Sequence, residues 1–133
     1  ISPSTSLIHR SVFDDVGFFD ENLKACEDYD FWLRYCSYEK VHFVPEALVI
    51  KSGGHADQLS KTHWGMDRFR IYSLEKLMKD EKLCESYYHA LLDEISNKLN
   101  VVINGAKKRK NNDLAKKMLA KKSEYEKFVR YDY

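Results

Sequence analysis

Glu27-Asp28-Tyr29-Asp30-Phe31-Trp32-Leu33-Arg34 is the stretch on which the reading of this chain turns. Its apolar residues, with Tyr35 just beyond, recur at helical spacing, which predicts a helix from near Glu27 to about Ser37. Acidic side chains open that helix, where they interact favourably with its dipole. Residues four apart share a helix face, so Asp28 stands at the helix mouth with an aromatic floor beneath it. Two roles fit such a carboxylate: an ordinary helix-start acid, or a group that accepts a proton from a bound hydroxyl.

Working outward, Ile1 to His9 mixes Ser and Thr with apolar residues and predicts a short strand and its exit. Ser11 is a candidate N-cap with Asp14 in the reciprocal position three residues on. Gly17 should end that short helix, and 18–25 should be a loop. Downstream, Val41-His42-Phe43-Val44 predicts a strand, Pro45 interrupts it, and Ala47-Leu48-Val49-Ile50 predicts an edge-like second strand. Gly53-Gly54 opens a lid-like loop reaching to about Trp64. From Met66 the pattern is helical. Met66, Phe69, Tyr72, Leu74 and Leu77 form one face, and Leu83, Tyr87, Leu91, Ile95 and Leu99 repeat every four residues toward Ile103. Asn104-Gly105 reads as the stop, and Leu114, Met118, Tyr125 and Phe128 mark a third helix.

The ordered string from Arg10 through Gly17-Phe18-Phe19-Asp20-Glu21 to the Glu27-Asp28 pair and Arg34 resembles the second half of a GT-A-type glycosyltransferase. More narrowly, it is similar to the inverting, nucleotide-sugar-dependent enzymes called family two. Lys51-Ser52-Gly53-Gly54-His55-Ala56-Asp57-Gln58-Leu59-Ser60 is similar to a loop that follows the acidic pair in one branch of that family. The likeness covers residues 1–70 and fades beyond.

The resemblance implies that Asp28 is the general base, deprotonating an acceptor hydroxyl as it attacks the anomeric carbon, with Glu27 orienting the base or the acceptor. Trp32, Arg34, Asp57 and Gln58 are candidates for acceptor or donor binding. Trp32 fits a sugar-stacking ring and a core aromatic alike. His55 is a candidate metal ligand, the bland alternative being a loop histidine in solvent. Asp28-Tyr29-Asp30 spells a DxD metal string, but residues two apart on a helix diverge and cannot share one ion. The DxD that binds Mg²⁺ or Mn²⁺ in this family lies in an upstream nucleotide-binding half. The metal is therefore expected with the full-length enzyme and not tightly bound here. His9, His42, His63 and His89 have no partner spacing and read as surface or strand residues.

Bulk properties set outer limits. With 133 residues, 44% hydrophobic and 32% charged, the profile is that of a folded domain and not of a disordered segment. There is no P-loop, no GxGxxG and no apolar run of membrane-spanning length. Cys26, Cys36 and Cys84 lack metal spacing and read as small buried residues in a reducing compartment, which makes the cytoplasm the expected location. The chain opens at Ile1, not methionine, and is read as a piece of something longer. Charge is uneven: residues 1–66 carry 10 acids and 6 bases, residues 67–133 carry 11 and 16. Residues 107–122 hold Lys107, Lys108, Arg109, Lys110, Lys116, Lys117, Lys121 and Lys122 against Asp113. That run reads as a solvated face with peripheral membrane contact as an added role. It lacks aromatic interleaving, so nucleic acid is not an expected partner.

The expected fold is α+β and predominantly helical: a partial GT-A acceptor-side half over residues 1–64 with a few short strands, then a helical extension over 65–133. The expected function is glycosyl transfer from a nucleotide-sugar to a glycan or lipid-linked acceptor, the isolated chain being inactive without its N-terminal half. The alternative from another class is a non-catalytic helical interaction module that retains a vestigial transferase segment.

Overall fold

The computed structural model describes residues 1–50 and 63–129. The chain forms two compact units, Ile1–Trp64 and Gly65–Tyr133.

Among its described residues the first unit contains a 3₁₀ turn at Pro3–Thr5 and two helices, α1 (Ser11–Val16) and α2 (Glu27–Cys36). The start of α1 departs from the sequence expectation. Ser11 lies inside the helix, Arg10 precedes it without a side-chain cap, and the imidazole of His9 accepts the Ser11 amide N–H at 3.3 Å. Gly17 ends α1 with φ 76, ψ 178, a region open to glycine and costly for any residue bearing a Cβ. In the loop beyond, Asp20 Oδ1 accepts both the backbone and side-chain N–H of Asn22 at 3.0 Å. The core of this unit is small. Ala25, Cys26, Asp30 and Phe31 are buried; Phe13 and Phe19 pack against Phe31 with ring centroids 5.4 and 5.1 Å away, and Phe18 stacks on the outside of Phe13 at 5.3 Å.

The strands expected at Ile1–His9, Val41–Val44 and Ala47–Ile50 are corrected: among the described residues no β-strand forms. Every residue from 41 to 50 is exposed, Phe43 at 87% and Ile50 at 100%. A strand needs a neighbour to satisfy its backbone groups and a face to bury, and the described residues give these segments neither. The cysteine expectation also needs correction, because Cys26 is buried but Cys36 and Cys84 are exposed.

The second unit is a three-helix assembly of α3 (Asp67–Leu77), α4 (Glu85–Lys108) and α5 (Asn112–Val129). Its interior is continuous: Ile71, Leu74 and Leu77 from α3, Leu91, Leu92, Ile95, Leu99, Val102, Ile103 and Ala106 from α4, and Ala115 from α5. The four-residue repeat therefore marks the core from Leu91 onward, while Tyr87 at its start is exposed.

Helix α4 runs through the expected stop at Asn104-Gly105. Val102, Ile103 and Ala106 are all buried there, and packing of that face outweighs the local cost of one glycine. The true stop is a Schellman turn. Asn111 N–H donates to Ala106 O at 2.9 Å and Lys110 N–H to Lys107 O at 3.0 Å, with Lys110 left-handed at φ 57. Asn111 then caps α5, its Oδ1 accepting the Leu114 N–H at 3.1 Å. A lysine in the left-handed position carries a Cβ penalty that glycine lacks. Lys110→Gly should thus stabilise this unit by about 0.5–1 kcal/mol, visible as a higher Tm.

Polar ties lock α5 to its neighbours. Glu75 Oε1 accepts Tyr125 Oη at 2.6 Å and lies 2.6 Å from Lys121 Nζ, and Lys122 Nζ donates to Asn100 Oδ1 at 2.9 Å. Partial burial and the bond to the Glu75 carboxylate push the Tyr125 hydroxyl far above the usual phenol range. The neutral phenol is thus favoured by folding. Its contribution is intact below about pH 10 and erodes as pH climbs from there toward the raised value. Tyr125→Phe should flatten the alkaline limb of a stability-versus-pH curve; an unchanged limb would count against this tie.

Candidate functional site

The site is built on the first turn of α2. Immediately before it, Cys26 is buried at 6% exposure and left-handed (φ 64, ψ 25), so the chain enters the helix through a sharp, enclosed bend. That bend fixes where the acids of the first turn stand. Glu27, Asp28 and Asp30 all lie in this turn, yet they meet different surroundings.

Asp30 is 1% exposed and accepts from Arg34 Nε at 2.9 Å, one helical turn along. The same guanidinium reaches back to α1: Nη1 donates to the Val16 carbonyl and Nη2 to the Phe18 carbonyl, the latter at 2.8 Å. Arg34 therefore clasps the backbone on both sides of Gly17 while neutralising a buried carboxylate. A planar fork with spaced donors suits this task, which a lysine's point charge could not perform. The guanidinium also stands 5.7 Å from the Phe31 ring centroid. Arg34, expected to bind donor or acceptor, thus has Nε, Nη1 and Nη2 all engaged within the chain. Sequence reading missed the clasp, although the four-residue spacing of Asp30 and Arg34 was a usable signal for its first half.

Asp28 is half-buried, and its Oδ1 accepts the Tyr29 N–H at 2.8 Å. Oδ2 has no protein partner among the described residues, and neither does the half-buried carboxylate of Glu27. Four residues on, Trp32 shares the Asp28 side of the helix. Its ring packs edge-on against Phe31 (5.2 Å) and Tyr35 (6.1 Å). Trp32 Nε1 is shut off from solvent and has no hydrogen-bond acceptor among the described residues. A buried donor without a partner costs roughly 1–3 kcal/mol, which makes it a place where another molecule or segment can bind favourably. Among the described residues, the side of α2 bearing Asp28 and Trp32 thus holds one unengaged carboxylate oxygen and, below the surface, one unanswered N–H.

Asp28 and Asp30 do not act together, because one is in the buried ion pair and the other is not. Among the described residues no group of three or more His, Cys, Asp or Glu side chains could hold a metal ion. His55, Asp57 and Gln58, the other candidates for metal and substrate binding, lie outside the described residues, as does the Gly53-Gly54 loop.

Comparison with known proteins bears directly on this arrangement. A family model described as glycosyltransferase like family 2 matches residues 1–120, which takes in both helices of the first unit and reaches into α5. The chain belongs to this glycosyltransferase family. Similar proteins include an uncharacterized glycosyltransferase of Rickettsia prowazekii (strain Madrid E), 33% identical over 99 residues covering 69% of this chain and 30% of the relative. An uncharacterized glycosyltransferase of Rickettsia typhi has the same identity and coverage, and one from Rickettsia felis is 38% identical over 55 residues, 41% of this chain and 9% of the relative. This glycosyltransferase-family chain therefore spans about 30% of the length of the first two curated relatives. No solved structure matches it. Among the described residues no helix is long and apolar enough to cross a membrane.

Proposed function

We propose that this chain supplies the acceptor side and the general base for glycosyl transfer from a nucleotide-sugar to an acceptor hydroxyl. Asp28 is the base. Its free Oδ2 takes the proton from the hydroxyl, the oxygen forms a bond to the anomeric carbon, and the bond to the nucleotide diphosphate breaks with its electron pair leaving on that phosphate. Attack from the face opposite the leaving group inverts the anomeric centre. Glu27 positions the base or the acceptor, and Trp32 offers a ring face to the incoming sugar.

The observation that carries this reading is the pairing of an unengaged Asp28 oxygen with the orphaned Trp32 Nε1 on one side of α2. Arg34 and Asp30 support it indirectly, since they hold the helix mouth against the Gly17 turn and keep the base at a fixed place. In a protein of the length of those relatives, the remaining chain would provide the nucleotide fold and the ligands of a divalent ion. No ligand set for that ion exists among the described residues. The exposed Val41, Phe43, Val44, Leu48, Val49 and Ile50 fit the same reading, as an apolar surface awaiting cover from the rest of the protein.

The reading is tested by separating transfer from donor binding in the full-length protein. Asp28→Asn should abolish transfer while leaving nucleotide-sugar affinity intact, because the donor is held elsewhere. Transfer at the parent rate would sink it, and would favour a non-catalytic helical module built on a transferase remnant. The 133-residue chain by itself should show no transfer from any nucleotide-sugar.

A further inference from the structure

The α4–α5 turn concentrates positive charge beyond anything the fold consumes. Lys107, Lys108 and Lys110 close α4, and Lys116 and Lys117 lie in the early turns of α5; all five are exposed. At about 1.5 Å of rise per residue, Lys116 and Lys117 are about 6–8 Å along α5 from its start at Asn112. The tight Schellman turn therefore brings all five amines within roughly one to two Debye lengths of each other.

Three other lysines of this unit are tied internally. Lys98 pairs with Glu94 at 3.0 Å, Lys121 with Glu75 at 2.6 Å, and Lys122 with Glu126 at 3.6 Å. The five turn lysines have no carboxylate partner among the described residues, and Asp113, the acid in their midst, forms no ion pair with them. The dipole of α4 accounts for cations at its own C-terminus. It does not account for Lys116 and Lys117, which belong to α5. Leu119, 44% exposed and one turn from Lys116, adds an apolar side chain to the same patch.

We infer that this turn is a docking patch for an anionic phospholipid surface. Lysine amines on flexible stems match a diffuse sheet of lipid phosphate and carboxylate, and Leu119 can enter the headgroup layer beside them. Nucleic acid fits less well, because the patch has neither aromatic rings for stacking nor a fork-donor arginine free of local contacts. Arg109 folds back over its own helix, with its guanidinium beside Gly105.

The test is co-sedimentation of the full chain with vesicles of phosphatidylcholine containing about a third phosphatidylserine, each lysine near an anionic surface being worth about fivefold in partitioning. The expected result is binding to these vesicles, none to pure phosphatidylcholine, a steep decline with added salt, and at least a tenfold loss on replacing all five lysines by Gln. Lys116→Gln with Lys117→Gln alone should lose part of the binding with helicity unchanged, which guards against a misfolded fivefold variant. Glutamine replacement of Lys121 and Lys122, whose amines are tied internally, should cost Tm more than binding. Equal binding to neutral vesicles, no binding to either, full retention by the fivefold variant, or tighter binding to single-stranded RNA at equal phosphate would each overturn the assignment.

Discussion

Asp28→Asn in the full-length protein is expected to lower kcat by about 10²–10⁴-fold while KM for the nucleotide-sugar changes little. Asparagine keeps the shape of the side chain, and its Oδ1 can still accept the Tyr29 N–H that Asp28 accepts at 2.8 Å. What it loses is the capacity to take a proton through the second oxygen. Because Asp28 is half-buried and outside the ion pair of Asp30, the substitution should leave helical content and Tm nearly unchanged. That combination of lost turnover, retained donor binding and retained fold separates a base from a helix-start acid. The acid would show a small loss of stability and full activity. Trp32→Phe offers a milder companion, removing the unanswered N–H but keeping the ring; it should raise KM for the acceptor more than it lowers kcat.

Arg34→Met should destabilise the first unit by about 3–5 kcal/mol, the usual consequence of leaving a buried charge without its partner. Asp30, at 1% exposure, would lose its bond to Arg34 Nε, and the carbonyls of Val16 and Phe18 would lose their Arg34 donors. A unit whose core is a handful of aromatic rings and two small residues has little to set against such a loss. Near-ultraviolet circular dichroism of the Phe-Trp-Tyr cluster should collapse, while α3, α4 and α5 retain their far-ultraviolet signal and serve as an internal control. Arg34→Lys should recover only a small part, since one ammonium cannot span Asp30 and two backbone carbonyls. An Arg34→Met chain with an intact aromatic signal would show that the clasp is dispensable.

Much of the first unit was legible because its signals are local. A glycine after a short amphipathic turn ended α1, and three acids before an aromatic run began α2. The ordered string around Glu27-Asp28 also carried the family. Features set by partners distant in sequence were not legible. The alternation in 41–50 has strand character, but a strand exists only with a neighbour, and none is present among the described residues. The reach of Arg34 to the Gly17 turn depends on how two helices meet, which no spacing rule encodes. In the second unit Asn104-Gly105 had the composition of a stop, yet burial of Val102, Ile103 and Ala106 carried the helix onward to a turn with lysine in the left-handed position. Propensity lost there to packing. At the candidate site, the acids were visible but their unequal fates were not: Asp30 is committed to structure and Asp28 is left open.

One residue, Asn111, finishes α4 with its backbone and begins α5 with its side chain. Two long helices joined so closely can find each other with almost no search through chain conformations, and such local pairings assemble quickly. The hydrophobic string at 41–50 has no comparable neighbour nearby in sequence and must wait for whatever covers it. The helical hairpin should therefore form early, and the exposed string at 41–50 should be covered only later.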